Sequence, residues 1–396
     1  GGAVFTDSRY NYMQTLTPVS LATLSTGAMP STHGVVSRRW SDYANNNNVY
    51  LTADDEVTGL DCRDGEGCHS PRNLIAPTLN DAMLQADSCS RIVTVAIDPE
   101  SAVVMGGKAG YTFWMDMDRC RWATSSYYTP YLPGWVKEYN GEDLHGRFLT
   151  GTWHSRFNRD KYINSQSSSI VVLEQMTKNT RPRQQTTMEQ LNDREKITRT
   201  PAGNTMLLDF AKYAVTSMNM GADDHTDILN ICLDTSRNIA ERFGPESVEY
   251  EDMLYSLDND LDQFLDYVCT HVKDERSLLV VLTSDHGTSP SFDSGREERR
   301  RFNVRQFEVI VNAFLSARYG QGEWILGYID HSIYINHNII YDKDMSIADI
   351  QNEVATFAMQ FRGVSHALSS TAMRTSYFGS GYAQKMQNSF YPRRSG

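Results

Sequence analysis

The segment from 278 to 287 reads Leu-Leu-Val-Val-Leu-Thr-Ser-Asp-His-Gly and opens with five consecutive apolar residues. An uninterrupted apolar run of this length is typical of a strand that is buried on both faces of a parallel sheet. Asp285 and His286 follow the run almost at once. Because open α/β sheets bind their ligands beyond the carboxyl ends of the strands, this pair is predicted to lie at a functional site. A carboxylate beside an imidazole suits a divalent cation such as zinc; a plain strand end with a surface histidine is the alternative.

The composition limits the class of protein and its partners. The chain has 396 residues, of which 40% are hydrophobic and 22% are charged, which is typical of a globular protein with one large domain or two ordinary ones. Its net charge of -12 argues against a nucleic-acid partner, since there is no basic excess to neutralise phosphates. No apolar run reaches the length of a membrane span. Neither terminus reads as a natural end of a protein, so a fragment is expected.

The six cysteines leave the redox state open. Cys62 and Cys68 flank a polar, glycine-rich loop and could form a disulfide in an oxidising compartment. His69 beside Cys68 makes a zinc knuckle conceivable, but a CxxC spacing is missing. Free thiols or one disulfide in the loop are therefore favoured.

Other apolar patterns predict the elements around the opening segment. Buried strands are expected at 91–97 and 227–233, extended structure at 102–105 and 111–114, and helices at 206–218 and 253–268. The polar stretch 175–205 is expected to be a solvated excursion, and the mixed charges around Arg299–Arg301 a solvated face.

The pattern changes after residue 303 and predicts a small α+β unit. A helix is expected to end near Tyr319, strands to lie within 324–329 and 332–335, and a helix to run from 346 to about 361. A further strand is possible near His366. The predicted domains are an α/β domain at 1–302, an α+β insertion at 303–370 and a return segment at 371–396.

Thr17 is a candidate nucleophile at the start of a helix. Leu21, Leu24 and Ala28 have helical spacing, Pro18 suits the first turn and Thr17 suits the cap. The N–H groups at a helix start favour an anion, so a hydroxyl there could attack a phosphoryl group. A plain N-cap is the alternative and is the commoner role of such a residue.

Several motifs together resemble the alkaline phosphatase superfamily, in its bacterial single-polypeptide alkaline phosphatase or nucleotide pyrophosphatase/phosphodiesterase type. The resemblance covers nearly the whole chain. The motifs that carry it include Thr-Gly-Ala-Met-Pro-Ser-Thr-His-Gly at 26–34, Met-Gly-Gly-Lys-Ala at 105–109, Phe-Gly-Pro at 243–245 and Thr-Ser-Asp-His-Gly at 283–287.

The resemblance implies a fold and a mechanism. The fold would be α/β, with a central, mostly parallel sheet flanked by helices. The reaction would be hydrolysis of a phosphate ester by two zinc ions, one lowering the pKa of the Thr17 hydroxyl and the other holding the leaving oxygen. Asp285 and His286 would be metal ligands, and the substrate would be a phosphate ester or another small anion. A periplasmic or exported location is implied in the same way.

Several positions depart from the pattern of the superfamily. An upstream Asp ligand and a late His ligand are expected outside this sequence, before and after it. Where the superfamily has another Asp ligand and another His ligand, this sequence has Arg237 and Glu241. Arginine keeps its proton and does not ligate zinc. Asp98 and Glu100 replace the Lys and Arg of a phosphate clamp, which would repel a phosphate dianion.

Two features of the sequence could compensate for these lost ligands and phosphate-binding residues. Arg237 and Glu241 could form an ion pair that fills a vacated metal site, since their i,i+4 spacing allows it on a helix. Arg38, which replaces the expected phosphate-binding Asn, could bind a different anion. The sequence therefore leaves two functions open: a metal-dependent phosphoric ester hydrolase, and a catalytically degenerate member that binds a ligand or partner without turnover.

Overall fold

The computed structural model describes residues 2–43, 47–150, 153–163, 193–289 and 302–396. Most of the excursion expected at 175–205 and all of Arg299–Arg301 lie outside these ranges. The chain divides into two compact units. The first comprises Gly1–Ala53, Asn73–Ala76 and Glu298–Gly396, and the second comprises Asp54–Arg72 and Pro77–Glu297. Within the described ranges, no helix is both long enough and apolar enough to cross a bilayer.

The second unit contains a sheet with helices packed against it. Its strands are β3 (Gly59–Leu60), β4 (Ile92–Ala96), β5 (Tyr111–Asp116), β6 (Arg121–Ser125) and β7 (Ile228–Cys232). Its helices are α3 (Leu79–Ala86), α4 (Pro99–Gly106), α5 (Gly134–Asn140), α6 (Leu144–Phe148), α7 (Asp193–Arg199), α8 (Ala202–Ser217), α9 (Asp234–Phe243) and α10 (Val248–His271), with 3₁₀ turns at Arg159–Lys161 and Glu275–Ser277.

The first unit is built from shorter elements. Its strands are β1 (Arg39–Asp42), β2 (Asn47–Tyr50), β8 (Ile325–Ile329) and β9 (Ser332–Ile335). Its helices are α1 (Thr17–Thr26), α2 (Pro30–His33), α11 (Val304–Tyr319), α12 (His337–Asp342), α13 (Ile347–Ala358), α14 (Ser370–Thr375) and α15 (Gly381–Ser389).

The five-stranded sheet of the second unit has the order β3-β6-β5-β4-β7. Strand β4 pairs in parallel with both β5 and β7, whereas β6 pairs antiparallel with both β5 and β3. All five residues of β4 are buried, as its position inside the sheet requires. The predicted α/β class is confirmed, with a sheet that is mixed rather than mostly parallel among the described strands.

An aromatic cluster fixes helix α8 on this sheet. The ring of Phe210 in α8 stacks on Trp122 of β6 with 4.2 Å between the centroids and meets Phe113 of β5 edge-on at 5.7 Å. All three side chains are fully buried. The long helix α10, predicted from its apolar face, adds Phe264 and Val268 to the same core.

The segment 278–282 differs most from its prediction. It forms no strand in the described chain, and four of its side chains are exposed: Leu279 by 83%, Val280 by 53%, Val281 by 76% and Leu282 by 74%. Only Leu278 packs against the core of the second unit. The prediction of a buried strand is wrong because an apolar run becomes a buried strand only where neighbouring strands cover it. The prediction of extended structure at 102–105 is also wrong, because these residues belong to helix α4.

The α+β pattern predicted after residue 303 is largely confirmed within the first unit. Helix α11 ends at Tyr319, β8 and β9 pair antiparallel, and Ser346 caps α13 by accepting a hydrogen bond from the Asp349 N–H. Buried side chains of α11, β8 and α13 share one apolar core. The region near His366 is not a strand. The domain boundaries 1–302, 303–370 and 371–396 stay a prediction.

Candidate functional site

The carboxyl ends of β4 and β7 carry an acidic edge. The two strands are parallel, with Ala96 opposite Cys232, so the residues that follow them emerge side by side. Asp98 comes two residues after β4, and Asp234 comes two residues after β7. Each of these aspartates stands at the beginning of a helix, α4 and α9 respectively, where the helix dipole favours a carboxylate.

Hydrogen bonds hold the two aspartates in place. One oxygen of Asp234 accepts from the Ser101 hydroxyl at 2.7 Å, and the other accepts from the Asp98 N–H at 3.1 Å. Asp98 caps α4 by accepting from the Glu100 N–H. Asp98, which occupies the position of the phosphate clamp in the superfamily, therefore has a local structural role, because its carboxylate caps the start of α4.

Arg237 is the cation of this edge. Its Nη2 lies 3.1 Å from Asp98 Oδ2, and only 17% of its side chain is exposed. Its Nη1 is buried without a hydrogen-bond partner in the described chain. Burial lowers the pKa of Arg237, but the charges of Asp234 and Asp98 raise it above its usual value. The expected pairing of Arg237 with Glu241 is thus replaced by a pairing with Asp98; Glu241 acts on the guanidinium through its charge.

The burial of Asp234 changes its protonation. Burial, and then the charge of Asp98, raise the pKa of Asp234 to about 6, although Arg237 opposes the shift. The neighbouring Cys232 thiol has a pKa well above its usual value, chiefly because it is buried and then because of the charges of Asp234, Asp285 and Asp98. Three carboxylates therefore act on the end of β7, which makes this edge strongly anionic apart from Arg237.

Asp285 lies near the end of β7, and His286 follows it in the chain. Asp285 is close enough to raise the pKa of Cys232 by its charge. The His286 ring Nε2 lies 3.3 Å from Asp285 Oδ2, and the His286 N–H donates to Asp285 Oδ1 at 2.9 Å. Both side chains are about one-fifth exposed. The two residues of the predicted ligand pair thus contact each other, and the Asp285 carboxylate acts by its charge on the same Cys232 thiol as Asp98 and Asp234 do.

Thr17 and Arg38 belong to the first unit, whereas Asp285 and His286 belong to the second. Thr17 is the first residue of α1, with Leu16 at the cap position, so the predicted helix start is correct to one residue. The Thr17 side chain is buried, and the cap residue Leu16 makes no capping hydrogen bond with its side chain. Arg38 is exposed. That Thr17 lies close to Asp285 and His286 stays a prediction.

Of the two alternatives for the cysteine loop, free thiols or one disulfide, the structure has the first. Cys62 and Cys68 are both free thiols, and the Cys62 thiol donates to the Glu66 carbonyl at 3.0 Å. Burial raises the pKa of Cys62 to about 11, so it is not a thiolate at neutral pH. His69 turns its ring toward Trp114 at 5.5 Å and is close enough to Asp98 to sense its charge.

The described residues of this edge do not fit the two-zinc centre that the resemblance implies. A catalytic zinc takes at least three protein ligands at about 2.0–2.3 Å. No trio of carboxylate, imidazole or thiol atoms at this edge comes within 4.8 Å of one another in the described chain. The guanidinium of Arg237 instead neutralises Asp98, the carboxylate nearest to it. No step of a reaction is therefore assigned to zinc here.

The sequence did not indicate the structural roles of two residues at this edge, Asp98 and Asp234. Asp98 was considered only as a clamp position, and Asp234 was not singled out. The signal that could have found both is their position: each directly follows a predicted buried strand, 91–97 or 227–233, and Asp285 likewise comes shortly after the opening run. What the sequence could not show is that these strands are parallel neighbours.

This architecture and edge define an α/β scaffold of the alkaline phosphatase type. The family model described as type I phosphodiesterase / nucleotide pyrophosphatase matches residues 3–355. The crystal structure of wild-type alkaline phosphatase PafA superimposes with a TM-score of 0.85 at 25% identity, covering 98% of this chain and 75% of that one. The chain belongs to the type I phosphodiesterase / nucleotide pyrophosphatase family and thus to the alkaline phosphatase superfamily.

Curated relatives extend this comparison. Alkaline phosphatase PafA of Elizabethkingia meningoseptica is 27% identical over 394 residues, covering 98% of this chain and 72% of that protein. Alkaline phosphatase PhoV of Synechococcus elongatus is 25% identical over 398 residues, covering 97% and 70%. A relative from Myroides odoratus, named a calcium-transporting ATPase, is 26% identical over 396 residues, covering 98% and 72%. The relatives named phosphatases support a family of phosphoric ester hydrolases.

Proposed function

We propose that this chain is a catalytically degenerate member of its superfamily, which binds a phosphate ester or a similar small anion without two-zinc turnover. The observation that carries the proposal is the contact between Arg237 and Asp98 beside the buried Asp234. A guanidinium cannot ligate a metal, and its fixed charge repels a cation from the carboxylates that it neutralises. Arg237 thus takes the role of a counter-ion among aspartates that would otherwise attract a divalent ion.

Binding of the anion is proposed at the start of α1. Helix α1 has ten residues and begins at Thr17, and the dipole of a helix favours an anionic ligand at its start. Arg38 is an exposed cation of the same unit and is the proposed second contact. A guanidinium forms paired hydrogen bonds with phosphate oxygens, which suits this role.

The binding proposal is tested by titrating the protein with inorganic phosphate in a calorimeter. Arg38→Gln should weaken binding about tenfold, the loss expected for one charge-assisted contact of about 1.4 kcal/mol. Arg39→Gln is the matched control, because Arg39 is the adjacent exposed arginine and should leave the affinity unchanged. Equal losses in both variants, or no binding by the parent protein, would remove the assigned contact.

Hydrolysis through Thr17 is the second candidate function. It is favoured by the position of Thr17 at a helix start and by the contact between Asp285 and His286. The resemblance assigns the nucleophile to Thr17 and two metal ligands to that pair. This candidate needs metal ligands beyond those that the described residues bring together.

An aryl phosphate assay with and without added zinc separates the two candidates. If the protein is catalytically degenerate, the parent protein and Thr17→Ala should release product at the same background rate. Thr26→Ala is the control, since Thr26 lies on the same helix at its far end. A zinc-dependent rate that Thr17→Ala abolishes and Thr26→Ala retains would establish hydrolysis and refute the proposal of a degenerate site.

The role of Arg237 has its own test. Arg237→Asp removes the cation and adds a carboxylate beside Asp98 and Asp234, so the variant should bind about one more zinc per chain than the parent protein. Zinc per chain is measured after dialysis by elemental analysis. An unchanged zinc content in a folded variant would show that Arg237 is not what keeps the metal away.

A further inference from the structure

A second cluster of metal-ligand side chains lies at the opposite edge of the sheet. Asp87 ends helix α3, and Cys89 lies two residues beyond it in the turn that leads into β4. His225 lies in the loop that leads into β7. Because β4 and β7 are parallel neighbours, their preceding loops meet at the amino edge. The five-residue strand β4 separates this cluster from Asp98 by roughly 16 Å at 3.3 Å per residue.

The three side chains converge from two distant parts of the chain. The carboxylate, thiol and imidazole atoms of Asp87, Cys89 and His225 all lie within 4.8 Å of one another. The His225 ring Nδ1 lies 2.8 Å from Asp87 Oδ2, although the two residues are 138 positions apart. In the described chain, this is the one place where three such ligand atoms come so close.

We infer that Asp87, Cys89 and His225 form a zinc-binding site. The donor set combines one oxygen, one sulfur and one nitrogen, and such borderline sets are typical of zinc rather than of magnesium or calcium. In a tetrahedral site with bonds of about 2.0–2.3 Å, the ligand atoms stand roughly 3.3–3.7 Å apart. A separation of up to 4.8 Å therefore has to close by no more than about 1.5 Å, and the Cys89 thiol is exposed and not part of a disulfide.

The surroundings of the cluster favour a cation. Arg91, the nearest basic residue in the sequence, is already paired with Asp223 at 2.7 Å and is close to Asp227. Lys273 is paired with Asp224 at 2.6 Å. Arg91 and Lys273 are thus paired with carboxylates other than that of Asp87, whose partners among the described residues are the His225 ring and the Cys89 N–H, both within the cluster. The site has three protein ligands and an exposed face, so water completes the coordination.

A metal here would join the two loops that lead into the neighbouring strands β4 and β7. Binding would tie the end of α3 to the loop before β7 and thereby stabilise the folded state, since the unfolded chain brings no such trio together. The proposed role is structural. It is independent of the proposed function, because the anion-binding and Arg237 proposals use other residues.

Cobalt(II) is the probe, because a thiolate ligand gives it a near-ultraviolet charge-transfer absorption that oxygen and nitrogen ligands do not give. The full chain should develop this absorption with one cobalt per chain, and Cys89→Ser should abolish it. Cys68→Ser is the matched control, since Cys68 is another free thiol in a polar loop of the same unit. Cys232→Ser, which changes the thiol near Asp285, should also leave the absorption unchanged.

Zinc should displace the cobalt and also protect Cys89 from alkylation, and His225→Ala should lose both effects. A charge-transfer absorption that survives in Cys89→Ser would overturn the assignment. So would the lack of any such absorption in the folded parent protein, in which case Asp87 and His225 form an exposed ion pair only. Neither result bears on hydrolysis or phosphate binding.

Discussion

The guanidinium of Arg237 lies 3.1 Å from the carboxylate of Asp98 and links the first turns of helices α4 and α9. The two residues are 139 positions apart in the sequence. Their contact places a permanent positive charge at the edge of the sheet where Asp234 and Asp285 also lie. The charge that balances these carboxylates is therefore part of the chain itself.

Removing this charge should destabilise the second unit. Arg237→Gln would leave the largely buried carboxylates of Asp98 and Asp234 without their counter-ion, at an expected loss of about 2 kcal/mol in the free energy of unfolding. Urea denaturation followed by circular dichroism measures the change. Arg242→Gln, an exposed position on the same helix, should stay within about 0.5 kcal/mol of the parent protein. Equal stability of both variants would show that the ion pair contributes nothing.

The raised pKa of Asp234 predicts a pH dependence of stability. Its pKa is about 6 in the folded protein, chiefly because of burial, against about 3.8 when unfolded. The folded state then holds more protons between pH 4 and pH 6, so this residue makes stability fall as the pH rises through that window. The effect is on the order of 2 kcal/mol.

The contribution of Asp234 is isolated by comparison with Asp234→Asn. The amide cannot ionise, but its oxygen still accepts from Ser101 or from the Asp98 N–H. The difference in free energy of unfolding between variant and parent should grow in favour of the variant from pH 4 to pH 6. A difference that is constant with pH would mean that Asp234 titrates normally.

The buried His33 predicts a pH dependence of stability that is opposite in sign to that of Asp234. The ring is fully buried, its Nδ1 accepts from the Val35 N–H at 3.1 Å, and its Nε2 lies 3.1 Å from the Thr23 hydroxyl. Burial lowers the pKa of His33 to about 4 from 6.5. Because the unfolded state takes up the proton first, stability is fully present above pH 6.5 and is lost as the pH falls toward 4.

Comparison with His33→Gln tests this expectation. Between pH 7 and pH 4.5, the parent protein should lose on the order of 2 kcal/mol more than the variant in the free energy of unfolding. Denaturant titrations at the two pH values provide the measurement. Parallel losses in both proteins would show that the ring is protonated in the folded state.

The exposed segment 278–282 predicts self-association. Leu279 and Val281 are 83% and 76% exposed and belong to a run of four exposed apolar side chains, and such a surface favours association. The double variant Leu279→Lys, Val281→Lys should therefore scatter less light at high concentration and bind less of a hydrophobic dye.

Thr283→Lys is the control for this experiment, because it adds a charge at an exposed position of the same segment without removing an apolar side chain. The double variant should unfold with the same midpoint as the parent protein, since exposed side chains contribute little to stability. A large drop in its midpoint would show that the segment is buried in solution, contrary to the structure.

The sequence by itself determined the local elements and the superfamily. Strands β4 and β7, helices α8 and α10 and the helix start at Thr17 follow from apolar periodicity and turn residues, because these signals act between close neighbours in the chain. Asp285 and His286 are sequence neighbours, so their contact is local as well, and their role as metal ligands stays a prediction.

Only the tertiary structure decided which charges meet and which apolar residues are covered. Asp98, Asp234 and Arg237 come together because two strands far apart in sequence are parallel neighbours, and no local pattern records that neighbour relation. The same dependence explains the error at 278–282, where the residues have the composition of a buried strand and yet remain exposed. Burial is a property of what packs against a segment, so the segment's own composition cannot fix it.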